Sequence, residues 1–164
     1  MMMNLPHSNL VASLDALLHK QLVVRGLDED IFVRCQLPLV LKDGGNVEPD
    51  LVLLREGPPH KEQPRAENVD LIIEVCDKTF YTDRNAKLPR YASSDVVEVW
   101  MCDVRDEQQP VLIVHRGPVI NGKYSNVTQL TVDKVQAERI PELPLDVQHV
   151  LIPGRSRGPA ARHR

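Results

Sequence analysis

Two carboxylates stand out because of what surrounds them. Asp50 opens the apolar run in "NVEPDLVLL", and Glu74 sits inside "VDLIIEVCDK". An acid within an apolar strand loses its hydration and needs a partner. If the two runs pair as consecutive antiparallel strands, the start of one lies beside the end of the other, and Asp50 meets Glu74. A parallel arrangement would keep them apart. Neighbouring carboxylates repel, and in a dry site one of them tends to stay protonated unless a cation intervenes. Hard oxygen donors with a few waters suit Mg²⁺, so a divalent-ion site accounts for the pair. Lys87 is the third candidate. Asp83, Lys87 and Tyr91 recur at i, i+4, i+8, the spacing of one helix stripe. An ammonium at the mouth of such a site would orient an attacking water or neutralise charge developing on a phosphate.

Each residue also has a plainer reading. Pro-Asp at a strand start is a common turn signature, and a lone lysine is usually a solvated charge. Asp83 and Lys87 would also serve as an exposed helix pair. Tyr91 and Trp100 read as core or interface aromatics, and His7 as a residue of the helix-capping region rather than a ligand.

The elements that must position these groups follow from periodicity. "SNLVASLDALLHKQL" places Leu10, Val11, Leu14, Leu17, Leu18 and Leu22 at helical spacing, ending near Gly26, with Ser8 or Asn9 as N-cap. "DIFVRCQLPLVL" reads as a strand broken or bent at Pro38, and "KDGGN" as a turn. "DLVLLR" is a strand, "EGPPHKEQPRAEN" a polar loop and "VDLIIEVC" a buried strand. "TDRNAKLPRYASS" has a helical pattern. Because proline is easy only in the first helical turn, Pro89 leaves two alternatives: a continuous helix that carries Lys87, or one starting near Leu88 with Lys87 in its lead-in. "VVEVWMCDV" and "PVLIVHR" flank the turn "RDEQQ"; "NGKYSNVTQLTV" adds a turn and strand, and "IPELPLDVQHVLIP" a closing segment. This order predicts an α/β (mixed α+β) fold with a central sheet.

Bulk properties narrow the classes. At 164 residues with 42% hydrophobic and 26% charged residues, the sequence reads as one globular domain over 1–152. Residues 153–164 form a basic tail, expected to be disordered. No apolar run approaches the roughly 20 residues of a membrane span, and the start lacks a signal-peptide pattern. Cys35, Cys76 and Cys102 are odd in number and widely spaced, which suits reduced thiols in a cytoplasm. Net charge is −3, and setting aside Arg155, Arg157, Arg162 and Arg164 leaves a body at −7. Such a body is poor at attracting phosphate backbones.

The ordered set Pro49-Asp50, Glu74-Val75, Asp83, Lys87, Tyr91-Ala92, Val99-Trp100 and Asp103 resembles the pattern of the restriction-endonuclease-like Uma-two family. The likeness runs from the first helix to about Leu151. The family looks like a branch of the PD-(D/E)XK nuclease superfamily. The resemblance therefore implies a restriction-endonuclease-like central mixed sheet flanked by helices, and Mg²⁺- or Mn²⁺-dependent hydrolysis of phosphodiester bonds, with DNA as the expected substrate. By the same resemblance Asp50 and Glu74 are metal ligands, the carbonyl of Val75 is another, and Lys87 assists the attacking water or the charged transition state. Cys76 occupies the position where the superfamily motif has its lysine, so Lys87 would act from the neighbouring helix. Family members carry a further Glu before the first helix, and an N-terminally shortened domain is expected here. Paired subunits of the superfamily commonly cut two strands, which makes a homodimer plausible. A second class remains open: a catalytically silent domain of the same fold, serving as a binding or assembly module.

Overall fold

A computed structural model describes residues 7–55 and 62–153. In chain order the elements are α1 (His7–Val24), β1 (Phe32–Cys35), β2 (Leu39–Val40), β3 (Asn46–Val47), β4 (Leu51–Leu54) and β5 (Leu71–Cys76). They continue with α2 (Tyr81–Ser93), β6 (Val99–Asp103), β7 (Val111–Ile120), β8 (Lys123–Leu130), β9 (Lys134–Ala137), β10 (Ile140–Asp146) and α3 (Val147–Leu151). Six strands form one sheet in the order β1-β4-β5-β6-β7-β8. Only β5 and β6 run parallel, and α2 supplies the crossover that a parallel pair requires; the other neighbours are antiparallel. This is the mixed central sheet flanked by helices that the sequence predicts.

Strand alternation divides the core into two layers. From β5, Leu71, Ile73 and Val75 enter a cluster with Val11, Leu14, Leu18 and Leu22 of α1 and with β9, β10 and α3. Ile72 and Cys76 enter the opposite cluster, with Leu39, Leu41 and Val47 and with Tyr91 and Ala92 of α2. Glu74 lies between Ile72 and Cys76 in the alternation, so it is delivered to the α2 face. On α1 the buried residues follow the spacing i, i+3, i+7, i+11, one continuous apolar stripe. The helix stops at Gly26, whose φ of 68° is left-handed. Gly26 N–H donates to Val23 O at 3.1 Å and Leu27 N–H to Leu22 O at 2.9 Å, which satisfies the last free carbonyls.

Three readings are refined. The stretch "DIFVRCQLPLVL" is broken, as one alternative has it, into two strands in different sheets: β1 pairs β4, while β2 pairs β3. The chain turns at Gln36, with a φ of 49°, before Pro38 is reached. Of the two alternatives for the second helix the continuous one holds: it begins at Tyr81, so Lys87 is inside it and Pro89 is interior. Pro89 and Asn85, whose carbonyl loses its helical partner, are both exposed, on the solvent side of a helix whose inward face is packed in the core. Finally, β9 (Lys134–Ala137), read from no sequence signal, pairs with the closing strand β10.

The turn expected at Asn121-Gly122 is present, with φ values of 52° and 74°. Two consecutive left-handed residues match the twist of the β7–β8 hairpin. Of the polar loop, residues 56–61 lie outside the described residues, as does the tail from residue 154 onward; Ala66–Asn68 form one 3-10 turn. Among the described residues, no helix is long and apolar enough to cross a membrane.

Candidate functional site

Antiparallel pairing of β4 with β5 aligns Leu51 with Ile73. The next pair in that register is Asp50 with Glu74, and both side chains are buried at the end of the ladder. The Asp50 N–H donates to Glu74 Oε2 at 3.1 Å. In return, Asp50 Oδ2 accepts from Val75 N–H at 2.8 Å, so the carboxylate continues the strand ladder where the backbone ends. The two acids are therefore locked by main-chain bonds, independently of any ion.

Helix α2 closes over this corner with three side chains at i, i+3 and i+7: Arg84, Lys87 and Tyr91. Residues so spaced share one helix face. Arg84 Nη2 donates to Asp50 Oδ1 at 2.8 Å, and Nη1 lies 3.3 Å from Glu74 Oε2. Its Nε donates to the Val75 carbonyl at 3.4 Å. Lys87 Nζ donates to Glu48 O at 2.6 Å and to Glu74 Oε1 at 3.5 Å. The buried Tyr91 hydroxyl donates to the same Oε1 at 2.5 Å. From the start of α1, His7 Nε2 stands 3.2 Å from Asp50 Oδ2, 3.1 Å from Val75 O and 2.9 Å from Arg84 Nη2. The Phe80 ring packs on His7, their centroids 4.7 Å apart.

Unequal surroundings split the two acids. Burial, reinforced by the Asp50 charge, raises the Glu74 pKa to about 7 despite Arg84, Lys87 and Tyr91. Burial pushes Asp50 upward too, but the His7 bond, the Arg84 charge and the Val75 N–H outweigh it and hold Asp50 below the ordinary carboxylate value. His7 is raised by its hydrogen bond to Asp50, against burial and Arg84. One carboxylate thus stays ionised while its neighbour titrates near neutrality, a separation typical of sites that handle protons or cations. Burial drives the Cys76 thiol up to about 12, an unreactive buried group.

The structure brings Asp50, Glu74, Val75 and Lys87 together, as the sequence reading expects. It removes Asp83, which is exposed on the outer face of α2. The inward stripe is Arg84-Lys87-Tyr91, not Asp83-Lys87-Tyr91. Arg84 and His7 were the residues missed. The i, i+3, i+7 spacing with Lys87 and Tyr91 would have found Arg84; nothing local in the sequence marks His7, which reaches the acids only because α1 packs across the sheet. Tyr91 and Trp100 are core aromatics as expected, but each has a carboxylate partner: Trp100 Nε1–H donates to the buried Glu98 at 2.7 Å.

The donor chemistry fits a small divalent ion. Among the described residues, no group of three His, Cys, Asp or Glu side chains is placed to hold a metal. Two carboxylates and a main-chain carbonyl are nevertheless hard oxygen donors of the kind Mg²⁺ takes, and all three already surround one cationic group, the Arg84 guanidinium.

The fold is one seen in a nuclease-like protein. A crystal structure of a "putative nuclease belonging to DUF820" from Anabaena variabilis superposes with a TM-score of 0.63 over 92% of this chain and 83% of that one, at 15% sequence identity. No curated protein matches the sequence. The model of the Uma2 family, described as "putative restriction endonuclease", matches residues 1–148, and the chain belongs to that family.

Proposed function

We propose that this protein is a Mg²⁺- or Mn²⁺-dependent endonuclease that hydrolyses phosphodiester bonds of DNA at the Asp50–Glu74 corner. One observation supports the reading: Asp50, Glu74 and the Val75 carbonyl converge on the Arg84 guanidinium, beside Lys87. Membership of a family described as "putative restriction endonuclease" supports DNA as the substrate class.

Asp50, Glu74 and the Val75 carbonyl would hold the ion, which when bound supplies charge stabilisation at the phosphate and a more acidic water. The remaining work falls to the chain itself. The Tyr91 hydroxyl fixes the Glu74 carboxylate through Oε1 and leaves Oε2 toward Asp50. Lys87, anchored on Glu48 O at the rim, offers its other N–H groups to an attacking water or to a non-bridging phosphate oxygen. Glu74 must be ionised to act as a ligand, so loading improves as pH rises through about 7. Two copies acting together would cut both strands.

The test is cleavage of supercoiled plasmid in Mg²⁺ or Mn²⁺ by wild type, Glu74→Gln and Lys87→Ala. Nicking by wild type that falls at least a hundredfold in Glu74→Gln is expected. Unchanged cleavage in both variants removes the site from the reaction. A second reading, a silent binding or assembly module, is favoured by the acidic body, which repels DNA phosphates. It predicts no metal-dependent cleavage by any of the three proteins.

A further inference from the structure

Arg84 stands where a divalent ion would have to go. Its three guanidinium nitrogens each face one of the proposed ligands: Nη2 to Asp50 at 2.8 Å, Nη1 to Glu74 at 3.3 Å, and Nε to the Val75 carbonyl at 3.4 Å. The side chain is buried, at 7% exposure. A guanidinium spreads one charge over a flat fork, whereas Mg²⁺ concentrates two charges in a small sphere. Both draw on the same oxygen lone pairs, so they cannot be held together in the same place.

We infer that Arg84 sets the divalent-ion affinity of this site. Its guanidinium is the resident counter-ion of Asp50 and Glu74, and an ion binds by exchanging with it. The inference rests on the metal-site reading above and adds the residue that opposes loading.

Two features of the site bear on the exchange. Arginine has a long unbranched stem, so the guanidinium can leave without displacing α2, whose Tyr91 and Ala92 are packed in the core. The other basic side chains do not take over its place. Lys87 reaches only Glu74 and is committed to Glu48 O, and His7 reaches Asp50 but not Glu74. A state with neither guanidinium nor ion would leave buried carboxylates poorly compensated, which is strongly unfavourable. The site is therefore filled by one cation or the other. Ion affinity is reduced by the factor that favours the Arg84-in state.

Mn²⁺ alone, without DNA, is titrated calorimetrically into wild type, Arg84→Gln, Arg84→Lys and Asp50→Asn. Arg84→Gln is expected to bind Mn²⁺ at least tenfold more tightly than wild type, with Arg84→Lys between them and Asp50→Asn without the site. Equal or weaker binding by Arg84→Gln overturns the exchange and leaves the metal reading standing. No binding by wild type or either Arg84 variant overturns both. Should Arg84→Gln fail to fold, the wild type answers alone by NMR of its arginine Nε–H groups during Mg²⁺ titration. The Arg84 Nε–H signal is expected to lose its protection from solvent exchange as Mg²⁺ saturates the site. A signal still protected at saturation overturns the exchange.

Discussion

Replacing Glu74 with Gln removes a titrating group from the core while keeping the shape and the acceptor for Asp50 N–H. In the ion-free protein the Glu74 pKa is raised from 4.5 to about 7, first by burial and then by the Asp50 charge. The folded state therefore binds a proton more tightly than the unfolded chain. Its contribution to stability is full below about pH 4.5 and is lost as pH rises through about 7. At 1.36 kcal/mol per pKa unit the whole window is worth on the order of 3 kcal/mol, of which roughly 2 kcal/mol falls between pH 5 and pH 7.5. His7, also raised, loses its contribution in the same direction above its ordinary value. Because His7 keeps its Asp50 partner in the variant, its share cancels in the comparison. Urea unfolding of wild type and Glu74→Gln at pH 5 and pH 7.5, with chelator present, isolates the Glu74 share. Wild type should lose roughly 2 kcal/mol more than the variant over this interval. Equal losses, or a larger loss in the variant, would show that Glu74 ionises normally and that the corner is not dry.

Other consequences can be checked separately. Tyr91→Phe removes the 2.5 Å bond to Glu74; about 1–2 kcal/mol of stability should go with it, measured by urea unfolding at pH 7.5. Glu98→Ala strips the acceptor from Trp100 Nε1, from Arg116 Nη2 at 2.5 Å and from Glu138 N–H at 2.9 Å. A loss of about 3–5 kcal/mol, and a shift in the Trp100 fluorescence, are expected without any change at the Asp50 corner. Gly117 has a φ of 85°, and a Cβ there would lie 2.8 Å from Ser125 Oγ. Gly117→Ala should therefore lower the thermal midpoint, at a cost of about 1–2 kcal/mol, by straining the β7–β8 bulge.

Much of the architecture was legible because it follows from local rules. The apolar stripe of α1 and the alternation of "LIIEVC" are periodic, and periodicity survives in one dimension. Asn121-Gly122 carries its own turn conformation. Pro89 leaves the helix start open on the backbone rule alone; because Asn85 and Pro89 lie on the exposed side, the helix runs through. Pro38 marks a broken strand, but only the structure puts the turn at Gln36 and the two halves in different sheets.

At the corner itself, sequence determined the pair. Asp50 and Glu74 each mark a place where a strand of apolar residues carries a charge, and an antiparallel connection can bring those ends together. What only the tertiary structure decided is what neutralises them. Whether Asp83 or Arg84 faces inward depends on the rotation of α2 about its axis, which is set by Tyr91 and Ala92 docking into the core rather than by the spacing of charges. His7 arrives from 43 residues before Asp50 because α1 lies across the sheet. Burial, a property of the assembled layers alone, pushes both carboxylates upward, and the His7 bond, the Arg84 charge and the Val75 N–H then hold Asp50 alone below its ordinary value. A chain of residues specifies which charges exist; only their packing decides which of them lose water and which cation must stand between them.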